Sequence, residues 1–227
     1  QGKTVLVISL EMSEAVYARR FVSNYTRIKM AGMEHMKDEI KVHLNNFKES
    51  KPDARLIIKE FPPNYVNCTQ LAGYIKQVED RFDRIDAIVI DYAMLIGATP
   101  GSSLYEKGKE IAESIRAYSY LFSCPVLTAT QIRRDAYGGA PKLEDSAESM
   151  GIPQTCDFQM GMFRGPEDEN DGAMSWSMMK NRFGLNFGAT RMGVDYETLT
   201  IFESEELNAA EEAEEATDSA SEFGEET

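Results

Sequence analysis

Ile85-Asp-Ala-Ile-Val-Ile-Asp-Tyr-Ala-Met-Leu-Ile96, IDAIVIDYAMLI, is the stretch that decides how the rest of the chain is read. Its centre, Ala87 to Ile90, is an unbroken apolar run in which Ile88, Val89 and Ile90 are β-branched. A short run of that kind without polar alternation is the pattern of a strand covered on both faces, as in a parallel sheet. Asp91 then stands at the C-terminal end of the strand. In open α/β sheets ligands bind outside those ends, so a carboxylate emerging there is placed to hold a water on Mg²⁺ beside phosphate groups. The other reading is an aspartate that caps the following turn.

Outward from this centre, the same pattern recurs. Thr4 to Leu10 (TVLVISL) is a second β-branched run ending at Glu11, and Pro125 to Thr130 (PVLTAT) a third, delivering Gln131. A strand is also expected over Ala54 to Phe61, closed by Pro62-Pro63. Between them lie helical patterns: one after Ser13, a helix-capping residue, one over Met33 to Glu49, one over Asn67 to Phe82, where Leu71, Tyr74, Ile75 and Val78 recur at helical spacing, and one over Leu104 to Phe122. The Gly- and Arg-containing segment Arg133 to Lys142 reads as a loop, followed by a short helix near Leu143 to Met150 and a strand over Asp157 to Phe163. Alternating stretches near Met174 to Asn181, Ala189 to Val194 and Thr198 to Phe202 read as antiparallel strands. The fold class is therefore α/β: a mostly parallel sheet flanked by helices, with antiparallel strands at its C-terminal edge.

The formal charge of −14 is unevenly spread. Eleven of the 38 acidic residues fall in Glu203 to Thr227, which holds no basic residue, leaving 27 acidic against 24 basic groups in the body. Residues 1–203 are expected to form one domain and residues 204–227, nearly devoid of large apolar side chains, a disordered acidic tail that aids solubility or docks a basic partner. A near-neutral body leaves nucleic-acid binding open, because a groove needs only local positive charge. Cys68, Cys124 and Cys156 are widely spaced with no CxxC pair, which points to a reducing compartment and away from zinc. His35 and His43 lie in a polar helical stretch without clustered ligands. No apolar run nears the roughly 20 residues needed to span a bilayer, so no membrane association is expected and the cytoplasm is the expected location. In that compartment the triplet Asn67-Cys68-Thr69 carries no weight as a glycosylation signal.

Gln1-Gly-Lys-Thr4 ends as a phosphate-binding P-loop ends, but that motif needs a strand and a GxxxxG turn before it and a helix after it. Here a strand follows, so Gly2-Lys3 is a loop entering a strand and the P-loop is absent from this sequence. What remains are Glu11, Asp91 and Gln131, each at the C-terminal end of an expected parallel strand. Such ends share one edge, where the three suit a nucleotide triphosphatase as base, metal holder and phosphate sensor.

Five stretches then carry a more specific signal: SLEM at Ser9 to Met12, IVIDYAML at Ile88 to Leu95, TATQIRR at Thr128 to Arg134, DSAESMGIPQTCDF at Asp145 to Phe158 and KNRFG at Lys180 to Gly184. In order and spacing the chain resembles the DnaB-type replicative helicases, most of all their T-even phage branch, over about Gly2 to Glu203. The resemblance implies a RecA-like ATPase core that uses ATP and Mg²⁺ within a homo-hexamer to unwind duplex DNA by moving along one single strand, with primase and a helicase loader as possible partners. By the same resemblance Glu11 is the carboxylate that orients and deprotonates the attacking water, Asp91 the Walker B aspartate that binds Mg²⁺ through water, and Gln131 the γ-phosphate sensor. Lys180 and Arg182 are the pair reaching into the neighbouring subunit's site, Arg182 as arginine finger. Two residues apart on a strand, they would share a face. Arg133, Arg134, Lys142 and Glu148 fall in the family's DNA-contacting loop. The chain departs from the bacterial pattern there, with Ala147-Glu148-Ser149-Met150 in place of Arg-Glu-Ser-Gly, so that arginine's phosphate contact is lost or moved.

The missing P-loop and the opening Gln, in place of Met, give the expectation that this is an N-terminally truncated motor domain, nearly inactive alone, whose complete product carries the P-loop upstream, with the family's collar domain. The alternatives are a RecA-like recombinase or circadian-type ATPase, and a ring-assembly relic that hydrolyses nothing.

Overall fold

The computed structural model describes residues 2–98, 101–131, 151–165, 168, 172–186 and 188–203. Four strands, β1 (Thr4–Ser9), β2 (Arg55–Glu60), β3 (Ala87–Asp91) and β4 (Val126–Thr128), form a parallel sheet in the order β2-β1-β3-β4. The register pairs Ser9 with Glu60 on one side and with Asp91 on the other, so three strands end level. Parallel neighbours require crossovers, and helices supply them: α1 (Glu14–Thr26) and α2 (Lys37–Ser50) between β1 and β2, α3 (Cys68–Phe82) between β2 and β3, α4 (Leu104–Leu121) between β3 and β4.

Local chemistry starts α1, α3 and α4 where the sequence marks them, whereas α2, expected from Met33, begins at Lys37 without a side-chain cap. The Ser13 hydroxyl accepts the amide of Val16. Asn67 with Gln70, and Ser103 with Glu106, close reciprocal capping boxes at the heads of α3 and α4. One face of the sheet packs Leu6, Ile8, Ile88 and Ile90, all fully buried, against Leu71, Ile75 and Val78 of α3 and Ile111, Ala112 and Tyr118 of α4. Each such Leu or Ile contributes roughly 1.5–3 kcal/mol relative to exposure. The expected burial on both faces holds for β1, where Val7 is also fully enclosed, but Val89 of β3 stays partly exposed. On that second face α1 packs against β2. Helix α2, polar as read, buries none of its residues completely.

The C-terminal strands are antiparallel as expected: β5 (Phe158–Phe163), β6 (Ala173–Asn181), β7 (Thr190–Asp195) and β8 (Thr200–Phe202). Among the described residues they ladder onto one another as a separate four-strand sheet, β5-β6-β7-β8, rather than onto the edge of β4. The sheet is tied to α1 and the segment just after it by polar contacts: Asn24 donates to the Leu199 carbonyl at 2.6 Å, the Met30 amide to the Glu197 carbonyl at 3.1 Å, and Arg27 to the Thr200 hydroxyl. Within it, the buried Asp168 carboxylate is held by Arg191 at 2.9 Å, the Gly165 amide at 2.7 Å and the Ser175 hydroxyl at 3.2 Å. A short helix, α5 (Gly151–Thr155), leads into β5. The helix expected over 143–150 and the acidic tail 204–227 lie outside the described residues. No helix among the described residues is long and apolar enough to cross a membrane.

Candidate nucleotide site at the strand tips

From β1 the chain runs to β2 on one flank, then crosses back to β3 on the other, so the topological switch point lies between β1 and β3. That is where doubly wound sheets open a crevice for ligands. Asp91 is the last residue of β3 and sits opposite Ser9, the last residue of β1; the Leu10 amide donates to the Asp91 carbonyl at 2.7 Å. The fully buried Ser9 hydroxyl donates to the Met12 carbonyl at 2.5 Å and accepts the Met12 amide at 3.0 Å, folding the turn that carries the exposed Glu11. The carboxylates of residues 11 and 91 thus belong to the same rim of the sheet. Gln131, also exposed, lies three residues beyond β4, the strand beside β3.

Two residues that motif reading passed over shape this rim. Tyr17, on the first turns of α1, donates its hydroxyl to Asp91 Oδ2. Burial first, and then that bond to a carboxylate, push its phenol above its ordinary range, so it stays a protonated donor. Thr128, at the end of β4, donates to the Ile90 carbonyl at 2.9 Å and accepts the Ala93 amide at 3.0 Å, bracing the turn that follows Asp91. The Asp91–Tyr92 peptide within that turn is cis. A residue one turn into a helix capped at Ser13 gives a faint signal for Tyr17; nothing local marks Thr128, because its role arises from strand pairing.

A cation brought by a nucleotide fits this arrangement better than a resident one. Among the described residues no group of three or more His, Cys, Asp or Glu side chains is placed to hold a metal. Asp91 offers one carboxylate oxygen to Tyr17, and among the described residues no hydrogen bond engages the other. A single carboxylate is the usual protein share for Mg²⁺, whose other ligands are phosphates and waters.

Lys180 and Arg182 lie elsewhere. Lys180, on β6, donates to the Pro153 and Gln154 carbonyls at 2.7 and 2.9 Å, and Arg182 pairs with Asp157 at 2.6 Å. Arg182 stands one residue past the end of β6, so its orientation follows from the turn and not from strand alternation; both cations nevertheless face the same corner between α5 and β5. Among the described residues neither contacts Glu11, Asp91 or Gln131. Arg133, Arg134, Lys142 and Glu148 lie outside the described residues. Cys68, Cys124 and Cys156 are free thiols, each pushed above the ordinary cysteine range, first by burial.

The model of the DnaB-like helicase C-terminal domain family matches residues 1–202. A DnaB-like replicative helicase of Enterobacteria phage T4 is 26% identical over 192 residues, covering 81% of this chain and 40% of that protein. This chain therefore spans about two-fifths of the length of that relative. Among solved structures, one of an ATPase domain superposes with a TM-score of 0.74 over 89% of this chain and 75% of its own, at 16% identity. A DnaB-like replicative helicase solved to describe its interactions with primase gives 0.73 over 89% of this chain and 51% of its own, also at 16% identity. The RadB recombinase gives 0.55 over 90% and 80%, again at 16% identity. At such identities the structural likeness establishes the fold, a RecA-like one.

Proposed function

The chain belongs to the family of DnaB-like helicase C-terminal domains, and from that premise we propose that residues 1–203 are the motor domain of a replicative DNA helicase. In this reading the protein hydrolyses ATP at the tips of β1 and β3 and moves along single-stranded DNA as a homo-hexamer, displacing the complementary strand. Primase and a loader are candidate partners, and residues 204–227 a solubilising tail. The observation that carries the reading is the register of Ser9 with Asp91, which brings the Glu11 turn and the Asp91 carboxylate to one switch point.

Each residue has a task that its surroundings suit. Glu11, exposed at the rim, orients the attacking water and takes its proton. Asp91, oriented by Tyr17, holds a metal-bound water, and Thr128 keeps the following turn from shifting. Gln131 senses the γ-phosphate next to the loop that carries Arg133, Arg134, Lys142 and Glu148, whose contacts to the DNA backbone follow no base sequence. Lys180 and Arg182 reach the nucleotide of the next subunit, where Arg182 meets the charge that develops during phosphoryl transfer. Mg²⁺, arriving with ATP, supplies neutralisation of phosphate charge. A P-loop lysine and hydroxyl have no counterpart in this sequence, so this chain alone is expected to hydrolyse ATP near background.

The test uses the full-length gene product on a forked duplex. Glu11→Gln should still bind ATP while DNA-stimulated hydrolysis and unwinding fall by about 10²-fold or more. Hydrolysis at the unaltered rate would remove Glu11 from its role and the strand-tip site with it.

A further inference from the structure

The cations proposed to act on a neighbouring nucleotide are both engaged within their own chain, and on a single corner. The segment from Pro153 to Asp157 receives Lys180 through the Pro153 and Gln154 carbonyls, Arg182 through the Asp157 side chain, and a third cation, Arg116 of α4. Arg116 reaches the Thr155 carbonyl at 2.7 Å and Asp157 Oδ1 at 3.2 Å, the same oxygen that Arg182 meets at 2.6 Å. The Arg182 amide also donates to the Asp157 carbonyl at 2.9 Å, so both the backbone and the side chain of Arg182 register on one residue.

Exposure decides what this cluster can do. The side chains of Arg116, Asp157 and Arg182 are 31%, 41% and 39% exposed, so the pairs are screened and hold weakly. A weak pair contributes little to stability but restricts where a flexible guanidinium dwells. Two guanidiniums meet one carboxylate, with the Lys180 ammonium on the adjoining main-chain carbonyls, which leaves a positive surplus that favours an incoming polyanion. Asp157 cannot satisfy both guanidiniums fully through one oxygen, so Arg182 leaves it at small cost once a phosphate competes, while Arg116 keeps Asp157 from following.

We infer that Asp157, anchored by Arg116, is a positioning residue for Arg182: it presets the guanidinium at the α5–β5 corner and yields it to the neighbouring subunit's triphosphate. The inference rests on the trans role proposed for Arg182. It makes the finger's aim depend on α5 and α4 as well as on β6, so a displacement of α5 would change finger placement without touching either nucleotide.

The experiment is a mutant cycle in the full-length protein, reading kcat and KM for DNA-stimulated ATP hydrolysis, with thermal midpoints as the fold control. Asp157→Asn should lower kcat about tenfold with KM for ATP within about twofold, as a misplaced finger loses transition-state contact and not ground-state binding. In an Arg182→Ala background the same change should cost nothing further. Arg116→Gln, which frees Asp157 without removing it, should act in the same direction more mildly, again only when Arg182 is present. Should Arg182→Ala lose activity while Asp157→Asn keeps it, or should the Asp157→Asn loss multiply unchanged in the Arg182→Ala background, the positioning role is overturned and the trans finger stands. Arg182→Ala with normal activity overturns the trans finger, and this inference with it.

Discussion

At the scale of single residues, the rim of the sheet is governed by hydrogen bonds that reach across strands and from helix to strand. Tyr17 holds Asp91, the carboxylate proposed to bind Mg²⁺ through water, and groups that orient such a carboxylate typically contribute 10- to 100-fold to metal affinity or activity. Tyr17→Phe in the full-length protein should therefore raise the Mg²⁺ concentration for half-maximal ATP hydrolysis by about tenfold with little change in fold stability; superimposable Mg²⁺ titrations would contradict it. Thr128 makes a different prediction, because its partner, the amide of the fully buried Ala93, has no water to turn to. Thr128→Val keeps the shape and leaves that amide unsatisfied, a loss of about 1–3 kcal/mol that urea unfolding would register. Glu11, Asp91 and Gln131 were legible as polar residues closing apolar runs. Tyr17 and Thr128 were not, since their partners stand 74 and 35–38 positions away in sequence.

At the scale of elements, the starts of α1, α3 and α4 were readable to within a residue because caps are local: Ser13, Asn67 and Ser103 each bond an amide three residues on. Helix α2, whose N-cap Met36 makes no side-chain bond, starts at Lys37 and not at Met33. The loop after β3 depends on a closer constraint. A side chain at Gly97 would put its Cβ 2.9 Å from the Asn64 carbonyl oxygen and 3.2 Å from that of Val66, both main-chain atoms that cannot swing away. Gly97→Ala should therefore destabilise the protein by about 1–3 kcal/mol in equilibrium unfolding. In the antiparallel sheet the buried Asp168 is pushed up by burial, but the Gly165 amide, Arg191 and Ser175 outweigh it and hold its carboxyl below the usual aspartate range. A folded pKa below the unfolded value of about 3.9 means that the stabilisation is complete above that value and is lost as pH falls through the depressed one. Asp168→Asn should cost about 1.5–3 kcal/mol at neutral pH by removing the charge on which Arg191, the Gly165 amide and the Ser175 hydroxyl converge, and should flatten this acid limb of the stability curve. Urea midpoints measured from pH 6 downward would check both. The sequence placed these strands correctly; that they ladder onto one another among the described residues is a matter of pairing partners, which alternation alone does not name.

At the scale of the whole molecule, Glu11 with Asp91 and Lys180 with Arg182 occupy different regions of one chain, as expected if a complete site needs two copies. Mixing Glu11→Gln with Arg182→Ala subunits tests this directly. If the finger acts in trans around a closed ring, random mixing rebuilds an intact site at about one interface in four, and hydrolysis should exceed that of either variant alone. No recovery after subunit exchange would mean that both groups serve the same chain. Asn24 of α1, with Arg27 and Met30 just beyond it, makes the polar ties to residues 197–200 that hold the antiparallel sheet to the parallel core.

By itself the sequence determined the α/β class, the succession of strands and helices, their caps, and which polar residues close the buried strands, because all of these follow from periodicity and from contacts a few residues long. The tertiary structure alone decided that β1 and β3 are neighbours in register, that a tyrosine from α1 reaches the aspartate at the end of β3, and that Lys180 and Arg182 both rest on the α5–β5 corner. Those facts depend on which surfaces meet when apolar area is buried, and that choice is made by packing over the whole chain at once.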